Sequence, residues 1–236
     1  MTTPRVVMVL TSHDRFGDTG RPTGFWFEEL AAPYYVLRDG GVDVTLASPA
    51  GGKPPADPAS LTPDTRTPDV DRFLADAEAA GRLAATERLD SLHVDDADAV
   101  FLVGGHGTMW DFPAQPQLAT LVATVAAHGG AVGSVCHGAA GLLDVVIDGR
   151  PLIEGRALAA FSDAEEQLVG ATDLVPFSLQ RHLHARGARY TEGAPFQPHA
   201  VRDGQLVTGQ NPASSRRTAV LLIEALRSPA ATDTRP

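Results

Sequence analysis

Three short segments, Arg5-Val-Val-Met-Val-Leu10, Ala99-Val-Phe-Leu-Val103 and Ala131-Val-Gly-Ser-Val135, are apolar or small at nearly every position and lack the alternation of a strand with one wet face. Strands of this kind must be covered on both sides, and sheets so covered are built from parallel strands joined by helical crossovers. Helical spacing follows where the crossovers need it. Phe25 to Arg38 places its large side chains on one face and stops at Gly40-Gly41 before a strand over Val42 to Ser48, and Leu118 to Ala127 runs to Gly129-Gly130 before Ala131. The order predicts an α/β three-layer sandwich around a doubly wound, mostly parallel sheet.

The rest of the chain is less regular. Pro49 to Pro68 is dense in Pro, Gly, Asp and Thr, and Val70 to Leu83 reads as an acidic helix, so an excursion over about 49–95 is expected as a cap or side flap. A strand is expected over Ala157 to Phe161, a helix over Pro176 to Arg186, a strand over Gln205 to Thr208 and a closing helix over Arg217 to Arg227. No repeat or low-complexity linker divides the chain, so residues 1–228 are expected to form a single domain and 229–236 a frayed tail.

Composition removes several classes of partner. With 43% apolar and 20% charged residues the 236-residue chain has the make-up of a globular protein able to bury one sizeable core. A formal charge of −10 leaves no basic field for nucleic acid or an anionic membrane surface. No apolar run approaches the length of a bilayer span. The single cysteine cannot form an intramolecular disulfide, and Met1 to Thr11 lacks the pattern of a secretory signal, so a cytoplasmic setting is expected.

That cysteine stands at the one turn where chemistry is expected. Ser134-Val-Cys136-His-Gly138 joins a buried strand to an Ala-rich helical start, the setting of a nucleophile elbow. An exposed thiol at a helix N-terminus beside an imidazole is expected to be favoured as thiolate. In a doubly wound sheet, sites gather outside the carboxyl ends of strands, so loops 11–24, 104–111 and 136–138 should share one edge.

Six segments, GFWFEELAAPYYVLRDGG, LASPAGGKPPADPAS, FLVGGHGTMWDFP, VGSVCHGAAGLL, RPLIEGRALAAFSDAEE and LVTGQNPASS, give the chain a resemblance over most of its length. It is similar to the PfpI-like branch of the class I glutamine amidotransferase-like superfamily, and within it to the short relatives of heat-shock chaperone 31, several of which are glutathione-independent glyoxalase III enzymes. The resemblance implies a flavodoxin-like fold with Cys136 as nucleophile, His137 as its partner, and Glu29 as the acid that contacts the sulfur. It places Glu166 as the carboxylate that orients His137, with Glu165 and Asp163 as competitors for that role. The N–H groups of Gly105 and His137 would form an oxyanion hole as in the family; Gly104 lets the backbone approach the substrate closely, and His106, Trp26 and Trp110 are expected to line the pocket because they fall on the same predicted sheet edge. No cofactor and no metal are implied, and relatives commonly form homodimers.

The activity so implied is cofactor-independent conversion of a small reactive carbonyl such as methylglyoxal. A hemithioacetal on Cys136 would be rearranged by His137 or Glu29 moving a proton from C1 to C2, giving a thioester that water releases as D-lactate; removal of early glycation adducts is a related possibility. The alternatives are a stress-response holding chaperone or redox sensor using an oxidisable thiol, and a same-fold hydratase or hydrolase such as an isonitrile hydratase or a specialised-metabolism enzyme. Glutamine hydrolysis is disfavoured, because His199-Ala-Val201 has valine where the superfamily's glutaminases need glutamate. His182 and His184 are two apart and do not form the i, i+4 metal pair. Neither a phosphate-binding loop nor a dinucleotide fingerprint is present.

Overall fold

The computed structural model describes residues 3–93 and 97–228; the expected tail at 229–236 lies outside the described residues. The apolar runs form β1 (Arg5–Val9), β4 (Ala99–Leu102) and β5 (Ala131–Val135), with β2 (Asp43–Ser48), β3 (Glu87–Arg88), β10 (Ala200–Asp203) and β11 (Leu206–Gly209) completing a seven-stranded sheet in the order β10-β11-β5-β4-β1-β2-β3. All neighbours are parallel except β10 and β11, which form an antiparallel edge. The sheet is the doubly wound one that the sequence predicts.

Burial on both faces is visible residue by residue. Val6, Met8 and Leu10 enter one core, whereas Val7 and Val9 enter the other; Ala99, Phe101 and Val103 divide from Val100 and Leu102 in the same way. The first core is roofed by α1 (Phe27–Asp39) and α8 (Ser215–Leu226), which pack on each other, and the second by α5 (Pro116–Ala127). Phe101 is fully buried and sits opposite Gly133 in the register. A Cβ on Gly133 would come within 2.7 Å of that ring, so the glycine makes room for the phenyl group.

The excursion after β2 differs from a single helix. It holds α2 (Pro68–Ala75) and α3 (Ala77–Ala84), broken at Asp76, whose extended backbone and carboxylate cap α3 by accepting from the N–H groups of Glu78 and Ala79. α2 packs on α1, and β3 pairs with the edge of β2, so the segment thickens one side of the sandwich. Between β4 and β5 lies the short α4 (Thr108–Asp111). Beyond β5 come the hairpin of β6 (Val146–Ile147) and β7 (Arg150–Pro151), then β8 (Ala157–Leu158), α6 (Asp163–Leu168), α7 (Leu179–Ala185) and β9 (Arg189–Tyr190). The strand expected over 157–161 is therefore only two residues long. Among the described residues no helix is long and apolar enough to cross a membrane.

The chain winds outward from β1 to β2 and β3, then returns to lay β4 on the other side of β1. This switch point opens a crevice outside the strand ends. Phe101→Ala, which empties the space beside Gly133, should cost about 3–5 kcal/mol of stability by urea unfolding. A loss below about 1 kcal/mol would show that this packing does not hold the sheet.

Candidate active site

Cys136 follows β5 directly and opens a 3₁₀ turn, Cys136–Leu142. Its φ of 57° lies in the left-handed region, which costs a residue with a Cβ roughly 1–3 kcal/mol. The turn survives because backbone presses on it from two sides. A Cβ on Gly138 would overlap the Leu102 carbonyl, and one on Gly104 would overlap the Glu29 carboxyl and the Val135 carbonyl and stand 3.0 Å from Cys136 Cβ. The Thr108 hydroxyl is within reach of the Gly105 and His137 carbonyl oxygens at 2.8 and 2.9 Å, pinning the loop after β4 to the elbow.

His137 Nδ1 lies 3.3 Å from Cys136 Sγ, and its Nε2 lies 2.8 Å from Glu166 Oε2. The other oxygen of Glu166 lies 2.8 Å from His106 Nε2. An ionised carboxylate only accepts, so both imidazoles carry a proton on Nε2, and in their neutral forms both Nδ1 atoms are bare acceptors. For His137 that lone pair faces the thiol. Burial alone would push the Glu166 carboxyl up, but the two imidazoles outweigh it and hold the group well below the usual carboxylate range. Burial, and after it the neighbouring His106, lowers His137 against the pull of Glu166, so the neutral base is the form present at neutral pH.

Glu29, in the first turn of α1, is completely buried. Its polar neighbours are the Cys136 thiol and the Gly104 backbone, yet neither oxygen has a partner in regular hydrogen-bond geometry. Burial without a facing cation pushes this carboxyl well above the ordinary range, and the protonated acid is the form that fits. Burial is also the main reason that the Cys136 thiol is raised, followed by the charge of an ionised Glu29. Protonating Glu29 removes the second effect and places an O–H donor beside the sulfur. The sequence expectation of an exposed, dipole-stabilised thiolate is thus corrected. The sulfur is enclosed, with the residue only 3% exposed, and desolvation outweighs the favourable His137 N–H, so the resting form is a thiol beside a neutral base.

The other expected residues fall around this centre. Gly105, at φ 110°, packs on the Gly24–Trp26 backbone, and its N–H has no acceptor among the described residues. The Trp26 N–H donates to the Gly104 carbonyl at 3.0 Å. The Trp110 ring stacks on His13 at 5.0 Å and meets Phe16 edge-on, and Phe16 lies 4.8 Å from His106. Asp111 accepts from the Thr11 hydroxyl and the Ser12 N–H, fastening loop 11–24 to α4. Sequence reasoning missed Phe16, His13 and Phe161, whose ring lies 4.5 Å from His137. The position of Phe161 just before SDAEE was the available signal.

Of Asp163, Glu165 and Glu166, only Glu166 bonds His137. Glu165 is buried and accepts from Ser162, Gln210, Asn211 and the Phe196 N–H, tying α6 to the 193–199 loop and the turn after β11. Asp163 accepts from the Ser178 hydroxyl. His199 Nε2 lies 3.0 Å from the Thr191 hydroxyl.

No ligand set for a metal was found in the sequence, because the relevant residues come from three separate elements. His106, His137 and Glu166 present ligand atoms within 4.8 Å of one another, a set that suits a divalent cation once both Nε2 protons are displaced. Their hydrogen bonds already satisfy one another without it. A separate cavity of about 620 Å³, lined among others by Phe25, Phe27, Leu61, Phe73 and Leu83, does not include the sulfur.

Glu29 also sets a pH dependence of stability. An acid with a raised folded pKa keeps its proton after the unfolded chain has lost its own, so stability falls as pH climbs above the ordinary carboxylate value. Glu29→Gln should therefore shift the urea midpoint upward by a margin that is nil near about pH 4 and widens toward about pH 8. A margin independent of pH would show that Glu29 is ionised in the fold.

The chain is similar to several known proteins. A model of the DJ-1/PfpI family matches residues 23–225. The glutathione-independent glyoxalase HSP31 of Saccharomyces cerevisiae is 33% identical over 239 residues, spanning 97% of this chain and 100% of that protein. The structure of rapid encystment protein REP24 of Francisella tularensis superposes with a TM-score of 0.92 at 35% identity, covering 96% of this chain and 100% of that one. Glyoxalase III of Candida albicans gives 0.88 at 32% identity, covering 94% and 97%. Both the sequence match and the doubly wound sheet with its elbow cysteine lead to one conclusion: the chain belongs to the DJ-1/PfpI family.

Proposed function

We propose that this protein is a glutathione-independent glyoxalase that converts methylglyoxal to D-lactate with Cys136 as nucleophile. The observation that carries the reading is the placement of one sulfur between a neutral imidazole acceptor, 3.3 Å away, and a buried carboxylic acid. Relatives named as glutathione-independent glyoxalases match nearly the whole chain, which supports the same substrate class.

The thiol proton passes to His137 Nδ1 as Sγ bonds to the aldehyde carbon, and the aldehyde oxygen, held by the N–H groups of Gly105 and His137, takes up a proton. Glu29 supplies the hydrogen bond to sulfur and is the proton donor on that side. A proton then leaves C1 and returns to C2, turning the hemithioacetal into a thioester of a 2-hydroxy acid. Water cleaves the thioester and restores the thiol. Substrate plus one water equals product, so no oxidant, reductant or glutathione enters. The enclosure of the sulfur favours small substrates, with Trp26, Trp110 and His106 at the approach.

The same enclosure works against a redox sensor, which needs an accessible low-pKa thiol, and no observation favours isonitrile hydration. We extend the reading to one domain over residues 1–228, working as a homodimer in the cytoplasm; an unpaired sole cysteine suits a reducing compartment. Light scattering after size exclusion reads the assembly.

Metal-free, glutathione-free protein should convert methylglyoxal to D-lactate, with Cys136→Ala slower by at least about 10³-fold and Glu29→Gln by about 10²-fold or more. Equal rates for wild type and Cys136→Ala would sink the proposal.

A further inference from the structure

The excursion over 49–95 encloses the cavity of about 620 Å³, a volume in the range of small-molecule sites, and the chemistry at Cys136 makes no use of it. One wall is fixed by backbone. The Phe25 N–H donates to the Pro55 carbonyl and the Asp57 N–H to the Phe25 carbonyl, both at 2.9 Å, and a Cβ on Gly24 would overlap that same Pro55 carbonyl, so the segment after β2 lies flat against the start of α1. The opposite wall is α2 and α3, where the Phe73 ring meets Phe27 edge-on at 5.5 Å and Leu74 and Leu83 line the space beside it. Phe25 and Phe73 are at most 1% exposed whereas Leu74 is 46% exposed, so the apolar lining runs from a closed back to an open rim. Such a recess admits a narrow chain and not the flat face of another protein.

Only three polar residues line it: Ser12, Asp14 and Lys53. They stand on the loops after β1 and β2, which are joined where the Ala50 N–H donates to Ser12 Oγ at 2.9 Å, so the polar groups gather at the strand-end side of the recess. The Asp14 carboxylate faces the Arg15 guanidinium at 4.0 Å. Lys53, the single lysine of the chain, has no carboxylate partner among the described residues, and the Ser12 hydroxyl proton has no acceptor among them. One unpaired cation and one unused O–H donor therefore stand beside apolar walls. We propose that this recess binds a small amphiphilic carboxylate, a medium-chain alkanoate, with its carboxylate at Lys53 and Ser12 and its alkyl chain along Phe27, Leu61, Leu74 and Leu83. A carboxylate supplies the charge that Lys53 lacks and the acceptor that Ser12 lacks, while its methylenes leave water against the apolar walls. An alkylammonium would meet like charge, and an alcohol would leave the cation unpaired. The site stands apart from the glyoxalase reading, because the sulfur is not part of its lining.

The test is calorimetric titration of the full chain with octanoate, with hexanoate, octan-1-ol and octylammonium as controls. Octanoate should saturate a single site with a Kd of about 5 mM or below and bind at least about fourfold more tightly than hexanoate. Octanol and octylammonium should bind at least about threefold more weakly than octanoate. Lys53→Glu should weaken octanoate by about tenfold and leave octanol within about twofold. Ala80→Trp, which sets an indole into the recess from an exposed position of α3, should abolish binding of both. Both variants replace exposed residues, so their melting temperatures should stay within about 3 °C of wild type. Saturating octanoate should leave the rate of iodoacetamide alkylation of Cys136 within about twofold, because the sulfur lies outside the recess. No saturation below about 20 mM, equal affinity for octanol and octanoate, undiminished binding by Lys53→Glu or by Ala80→Trp, or protection of Cys136 by octanoate would each overturn the assignment.

Discussion

The close approach of two glycine backbones to the end of β5 is the constraint on which the site depends. Gly104 and Gly138 occupy space that any side chain would fill with the Glu29 carboxyl, the Val135 carbonyl or the Leu102 carbonyl. That contact holds Cys136 in a left-handed conformation and brings β4, β5 and the first turn of α1 to one point. The cost of the strained residue is met by the parallel pairing of β5 between β4 and β11, which leaves the chain no easier path.

From this contact follows an unusual electrostatic arrangement. Glu29 and Cys136 are both buried and both raised, so they sit together as two neutral groups, whereas Glu166 is held ionised by two imidazoles a few ångströms away. Environments that push neighbouring titratable groups in opposite directions define an acid on one side of the sulfur and a base on the other. Glu165 and Glu166, adjacent in sequence, show how local the division is: the first is spent on loop architecture and the second on the histidines.

Much of the fold was legible because unbroken apolar runs admit few solutions. β1, β4 and β5 lie where the runs are, and α1, α5 and α8 lie within a few residues of their expected bounds. The excursion was read less well, since the helical period continues across Asp76 and nothing in it reveals that Tyr35 and the α3 N–H groups would draw that carboxylate into a break. Strands of two residues, such as β3 and β9, carry too little pattern to be seen, and their pairing partners decide them, whereas β8 was expected but at greater length.

For the site, the sequence alone singled out Cys136, its histidine neighbour and the shared edge of three loops, because a cysteine between a buried strand and His-Gly stands at a sharp strand-to-helix turn. Only the tertiary structure decided which acid meets His137, that His106 shares it, and that the thiol is enclosed rather than exposed. The reason is physical: periodicity places a residue on an element, but hydrogen-bond partners and desolvation arise between elements distant in the chain, and only their packing sets distances of 3 Å and the loss of water.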